Sequence, residues 1–226
     1  MKIKRIMVGL LMVVGGFLGG CATEPFERPP LPELVHPNPS ALRAEFAGQL
    51  KERFISDDTV IIQAPFRDDM AILGVLQADR AAGTFELLGM NHMTVTLFHL
   101  CGEDGDKAIR YAMPPLMEQK ETLLGIAGDT RRMYLDLVPA ADAAVTIRPT
   151  YVRFSQETAE GTLVYEFGAV PTVLLEKRLE GFWGTIWRAR YYDYAESPAL
   201  HPRGVVMDNN RFGYRIIVKN RDWQVK

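Results

Sequence analysis

The stretch Phe212-Gly213-Tyr214-Arg215-Ile216-Ile217-Val218-Lys219 decides the fold class. Phe212, Tyr214, Ile216 and Val218 fall on one side of an extended chain, and Arg215 and Lys219 on the other. A period of two marks a half-buried strand, because successive side chains in a strand point to opposite faces. The period recurs upstream. Further candidate strands are residues 59–64, 70–78, 84–88, 93–101, 108–113, 145–154, 162–167, 172–179, 182–194 and 204–207, giving about eleven in all. Turn-forming residues separate them, among them Arg67-Asp68-Asp69, Gly89-Met90-Asn91 and Gly102-Glu103-Asp104-Gly105. Strands joined by short turns pair antiparallel, so the expected class is mainly β (α+β), a meander with a little helix.

Two segments break the period. Residues 40–54 predict a helix capped by Ser40, with Leu42, Phe46, Leu50 and Phe54 at helical spacing. Residues 114–138 form a helical insertion that starts at Pro114-Pro115. Gly125 and Gly128 weaken its middle, and Asp129 can cap a second helix carrying Met133, Tyr134, Leu137 and Val138. One broken helix or two short ones is the expectation. One sheet face needs apolar cover, and this insertion is the obvious supplier.

The first 21 residues set the location. Met1-Lys2-Ile3-Lys4-Arg5 precedes an apolar run to Leu18, then Gly19-Gly20-Cys21. A basic start, a short apolar core and small residues before a cut mark an export signal. The end of the signal resembles a bacterial lipoprotein lipobox. That resemblance implies lipidation of Cys21 and removal of residues 1–20. Ala22 stands where an Asp would retain such a protein at the inner membrane, which implies outer-membrane anchoring facing the periplasm. An ordinary secretory signal and a short anchor helix are the alternatives; the run is short for a span, which takes about 20 residues.

Composition bounds the rest. The chain has 226 residues, 14 of them proline, and a formal charge of −2. Loss of Lys2, Lys4 and Arg5 leaves 23 basic residues against 28 acidic, an acidic balance that argues against nucleic acid as a partner. Residues 21–39 hold the lipid-bearing Cys and a linker with six prolines. The linker either stays extended or packs along the domain through Phe26, Leu31, Leu34 and Val35. Residues 40–226 are long enough for a single domain, expected to be a monomer. Cys101 has no partner in the chain if Cys21 carries lipid.

The closing segment Trp187-Arg188-Ala189-Arg190-Tyr191-Tyr192-Asp193-Tyr194, with Pro202, Phe212-Gly213-Tyr214-Arg215-Ile216 and Trp223, is similar to the end of LolB-type outer-membrane lipoproteins. Phe85-Glu86-Leu87-Leu88-Gly89-Met90 followed by Val95-Thr96-Leu97-Phe98-His99-Leu100 resembles two adjacent strands there. A related set of bacterial outer-membrane lipoproteins of unknown function shares the plan. The resemblance implies a curved antiparallel half-barrel sheet with a helical lid, closing an apolar cavity that receives acyl chains or an acylated protein. The cavity residues expected on this plan are Val95, Leu97, Met133, Leu137, Leu163, Tyr165, Phe167 and Trp187. Gly89-Met90-Asn91-His92-Met93 is the best counterpart of the apolar loop that LolB uses on membranes. The long proline-rich linker departs from the family.

The residues supply an independent reason for a second buried face. Met70, Ile72 and Leu76 oppose Ala71, Leu73 and Val75, and Trp183 and Trp187 oppose Phe182 and Ile186. Such strands need cover on both faces, from their own helices or from a ligand. Other chemistries are poorly represented. Val95, Leu97, His99 and Cys101 read as one inward row, and His99-x-Cys101 lacks the further ligands that zinc requires. No serine lies within Gly-x-Ser-x-Gly. Arg188 and Arg190 share a face with Tyr192 and Tyr194, as an anion subsite or as an ion-paired row. The expected function is a lipid or lipoprotein carrier or acceptor, with no enzyme activity, metal or cofactor. The opposing reading is a structural or interaction lipoprotein with no lipid ligand.

Overall fold

The computed structural model describes residues 25–28, 31–65, 68–103, 105–169, 171–195 and 199–226. Cys21 and the export signal lie outside them. The elements run α1 (Pro39–Gln49), β1 (Arg53–Gln63), β2 (Met70–Asp79), β3 (Thr84–Met90), β4 (Thr96–Glu103) and β5 (Asp106–Ala112), then α2 (Pro114–Met117) and α3 (Lys120–Tyr134). After the helices come β6 (Ala144–Ile147), β7 (Val152–Thr158), β8 (Gly161–Ala169), β9 (Thr172–Gly181), β10 (Gly184–Ala195), β11 (His201–Asn209) and β12 (Tyr214–Val225).

The twelve strands form one antiparallel sheet, ordered β5-β4-β3-β2-β1-β12-β11-β10-β9-β8-β7-β6. It is two meanders joined by the pairing of β1 with β12, where Ile62 lies beside Ile216 and Val60 beside Val218. The edges β5 and β6 are not paired with each other, so the sheet is open. α3 contacts β4 and β5 on one side and β11 on the other. Strands that far apart in sheet order meet one helix only if the sheet curls around it. The inner face carries Ile62, Ile72, Leu76, Phe98, Leu100, Tyr165, Phe167, Trp187, Ile216 and Val218, all buried. α3 covers one half of this face. α1 covers the other, with Phe46 edge-on to Phe167 at 5.0 Å between ring centroids.

Several local expectations change. The sequence predicts about eleven strands; residues 145–154 instead form two, because Arg148-Pro149 breaks the ladder and Arg148 N–H closes a turn onto the Tyr151 carbonyl. The first helix is capped by Asn38, whose side chain accepts from Ala41 N–H at 3.2 Å, with Pro39 in its first turn. It ends at Gln49, and Phe54 belongs to β1, where it stacks on Trp223 at 4.1 Å. Asp129 is no cap. α3 runs unbroken through Gly125, Gly128 and Asp129. Gly125 sits at a close approach, where a Cβ would meet the Tyr214 hydroxyl at 3.1 Å and the Phe212 ring at 3.2 Å. At Gly125 close packing offsets the roughly 1 kcal/mol that Gly costs in a helix.

The row Val95, Leu97, His99, Cys101 does not face inward as a unit: Leu97 packs half-buried against the core at a bulge, and Val95 is exposed. Phe98, Leu100 and Gly102 are the buried residues of β4, while His99 and Cys101 lie half-exposed on the outer face beside Glu86 and Arg110. The outer face of β7–β12 is an ion-paired ladder. Arg178 bonds Glu166 and Glu176 at 2.8 Å each, Arg190 pairs with Asp208, and Arg215 bonds Asp208 at 2.6 Å. Arg188 pairs with Glu176 at 3.4 Å, so the arginine row is an ion-paired one. Tyr194 leaves that row: Asp193 has φ 50°, and the Tyr194 hydroxyl turns to donate to the Leu174 carbonyl at 2.8 Å. The proline-rich segment packs on the body at two points. Phe26 stacks on Tyr192 at 5.3 Å, and Leu34 N–H donates to the Pro149 carbonyl at 2.7 Å.

Candidate functional site

α3 is held at its C-terminal end and open at its N-terminal end. The carbonyls of a helix's last turn lack intrahelical partners. Here the Arg80 Nε donates to the Tyr134 carbonyl at 2.8 Å and the Tyr191 hydroxyl to that of Met133 at 3.2 Å. Lys177 Nζ donates to the carbonyls of Arg132, at 3.2 Å, and of Asp136. Burial pulls the Lys177 ammonium down to about 7. Mid-helix, the Asp129 carboxylate accepts from Tyr214 Oη at 2.6 Å, Asn209 Nδ2 at 2.7 Å and Arg132 Nη1 at 2.7 Å, and it is fully buried. This polar clamp fixes the helix to β11 and β12.

Beyond the clamp the helix parts from the sheet. A groove of about 750 Å³ opens there, between α2, the first turns of α3 and the ends of β1, β2, β4 and β12. Its apolar walls include Ile62, Met70, Phe98, Leu116, Leu123 and Phe212. Asp68, Glu118, Lys120 and Glu121 stand among its lining residues. The size is within the roughly 300–1,000 Å³ typical of small-molecule sites. Ile62, Phe98 and Ile126 continue inward to line a second void of only about 30 Å³, walled also by Ile72, Leu76, Met133, Tyr134 and Asp58. That inner space is about one water in size. The half-barrel is thus filled by its own side chains at depth and open at one end.

Asp58 is the carboxylate among the residues that line the inner void. It is 3% exposed, at the bulge where β1 shifts register against β12. Its Oδ1 accepts from Ser56 Oγ at 2.7 Å and Asn220 Nδ2 at 3.1 Å. Burial pushes the carboxyl up to about 6 despite these bonds. The folded value lies above the unfolded one, near 3.8. The cost of ionisation is therefore absent below about pH 4, grows as pH rises through about 6, and is constant above. It amounts to about 3 kcal/mol. Asp58→Asn should raise the melting temperature at pH 8 and leave it nearly unchanged at pH 4. Equal shifts at both pH values would contradict this assignment.

Of the residues that the sequence predicts for the cavity, Met133 lines the inner void. Leu137, Tyr165 and Phe167 are buried in the core beneath α1 and the end of α3. Leu163 and Trp187 flank a separate surface hollow of about 310 Å³ with Arg132, Asp136 and Lys177. Val95 is exposed just before β4, and Leu97 is half-buried at the β3–β4 bulge. The groove is lined instead by Ile62, Met70, Phe98, Leu116, Leu123 and Ile126, none of them among the residues expected for the cavity. The alternation of Met70, Ile72 and Leu76 was the available signal for the β2 wall. Among the described residues no group of three or more His, Cys, Asp or Glu is placed to hold a metal, and no helix is long and apolar enough to cross a membrane.

No family model matches the chain, and a search of curated proteins gives no match. Solved structures do match. A LolA superfamily protein from Nitrosomonas europaea superposes with a TM-score of 0.57 at 8% identity, covering 83% of this chain and 93% of that one. A putative outer membrane lipoprotein-sorting protein domain from Vibrio parahaemolyticus gives 0.54 at 11% identity, covering 82% and 89%. A DUF1329 family protein from Desulfovibrio piger gives 0.50 at 6% identity, covering 82% and 91%. Identities this low speak to architecture alone. With its open twelve-stranded sheet curled around α3, the chain has the half-barrel fold of the LolA superfamily.

Proposed function

We propose that the chain is a lipoprotein of the outer membrane, anchored at Cys21 with its domain facing the periplasm, that takes up an acyl chain or an acylated protein. Residues 1–20 are the export signal, 21–39 the anchor and linker, and 40–226 the binding domain. The observation that carries this reading is the 750 Å³ groove with apolar walls under the free end of α3. A methylene moved there from water gains about 0.8 kcal/mol, so a few buried methylenes give measurable affinity. The groove alone takes part of a long chain. Deeper burial requires the first turns of α3 to lift while the Asp129 clamp and the bonds at its C-terminus hold. The LolA superfamily and lipoprotein-sorting structures that share the fold support the same ligand class.

The filled interior favours a second reading, a lipoprotein that binds a partner and no lipid. One experiment separates the two. Titration of the chain from Ala22 onward, which retains every described residue, with a fluorescent fatty acid should show saturable binding that unlabelled fatty acid displaces. No binding, or binding that no fatty acid displaces, would leave the interaction reading in place. The anchor is tested apart: Cys21→Ala should leave the precursor without fatty-acid label and displace it from the outer-membrane fraction, and unchanged labelling would refute lipidation.

A further inference from the structure

The most exposed large apolar side chains in the described structure are neighbours. Phe182 is 90% exposed and Trp183 is 96% exposed, at the tip of the β9–β10 hairpin, with their rings edge-on at 4.8 Å. The hairpin tip stands at the same end of the sheet as the groove. Trp187 pairs with Leu179 on one side and Asn209 on the other, so the β9–β10 and β11–β12 turns project from the same end of the sheet. Asn210 ties them, donating its side-chain N–H to the Thr185 carbonyl at 2.7 Å. Phe212 and Gly213, in the second turn, line the groove. The same rim carries Met93, Met117 and Phe212, all exposed. The expected membrane loop at residues 89–93 contributes only Met93. Met90 lies within β3, and Asn91 folds the turn tightly by accepting from Met93 and Val95 N–H.

We infer that this rim docks on a lipid bilayer, with Phe182 and Trp183 as its inserted tip, so that the groove opens onto the membrane surface. The chemistry fits lipid. Trp and Phe partition to the bilayer interface, and a cluster of exposed apolar side chains on a rim marks an interaction site. The ionic groups beside the groove are mostly acidic, Asp68, Glu118 and Glu121 against Lys120. Docking is therefore apolar and needs no anionic lipid. The tether limits the docked orientation, and this step rests on the Cys21 anchor. Phe26 is seated on Tyr192 and on Gly204, where a Cβ would come within 2.7 Å of its ring. Five residues from Cys21 to Phe26 reach at most about 17 Å. Nine residues of strand from Trp183 to Tyr192 span about 30 Å. With the rim on the bilayer, β10 then lies within about 35° of the membrane plane.

The test is cosedimentation of the unlipidated chain from Ala22 onward with phosphatidylcholine vesicles, at low and high salt. The wild type should bind at both, and Trp183→Ser should weaken binding about tenfold. Phe182→Ser should act in the same direction. Both side chains are exposed, so melting temperatures should not move. Vesicles with brominated acyl chains should quench the Trp183 fluorescence, and Trp183→Phe should remove that quenching. Absence of wild-type binding, binding that survives both serine variants, or binding lost at high salt would overturn the proposal; a protein partner for the rim would show as the first of these. Fatty-acid displacement in the serine variants should be unchanged, so failure of the rim and failure of the acyl groove read out separately.

Discussion

Asp129→Ala is expected to cost about 3–5 kcal/mol of stability. The carboxylate is fully buried and accepts from Tyr214, Asn209 and Arg132. Its removal leaves a phenol, an amide and a guanidinium facing an apolar hole, and each unpaired donor costs free energy. Arg132, which also sits over the Trp187 ring at 5.1 Å, would lose its counter-charge. For a domain of this size the loss corresponds to roughly a 10 °C fall in melting temperature. Asp129→Asn, which keeps the shape and one acceptor, should cost less. A thermal melt of both variants decides; a change below about 1 kcal/mol for the alanine variant would mean that the clamp does not hold α3.

The second large effect is on binding. Leu116 and Met70 face the groove from opposite walls and are half-exposed, so the fold tolerates polar replacements there. Leu116→Glu with Met70→Glu places two carboxylates where acyl methylenes would lie, and a charge against hydrocarbon without a partner is costly. Affinity for a fatty acid should fall about a hundredfold, near 2.7 kcal/mol. The melting temperature should change little. Leu137→Glu makes the contrast. Leu137 is 5% exposed in the packed core rather than in the groove, so that variant should unfold the domain before it reports on binding.

Much of this was legible in the chain. The period of two in residues 212–219 marked a strand, because alternation is a local property, and the short turns between strands marked the antiparallel order. The filled interior was not legible. Whether Tyr165 and Phe167 border a cavity or close it depends on Phe46 of α1, over a hundred residues away, landing on Phe167. Asp129 misled for a related reason. A carboxylate after two glycines reads as a cap, and only the register of Asn209 and Tyr214 across β11 and β12 shows that it is a buried acceptor. The groove itself arises from where α3 stops touching the sheet, a matter of helix placement that no window of sequence contains. Phe182 and Trp183 sat inside a predicted strand, and the chain instead turns between Gly181 and Gly184, whose φ of 126° only glycine adopts freely.

The most direct test of the acyl-binding account is where a fatty acid lies when bound. A fatty acid with a photoactivatable group along its chain, irradiated with the chain from Ala22 onward and mapped by peptide mass spectrometry, reports this without a crystal. The account predicts labels on Met70, Leu116, Leu123 and Ile126, lost in the Leu116→Glu, Met70→Glu variant. Labelling confined to the exposed Phe182–Trp183 tip, or spread without preference and unaffected by that variant, would contradict it.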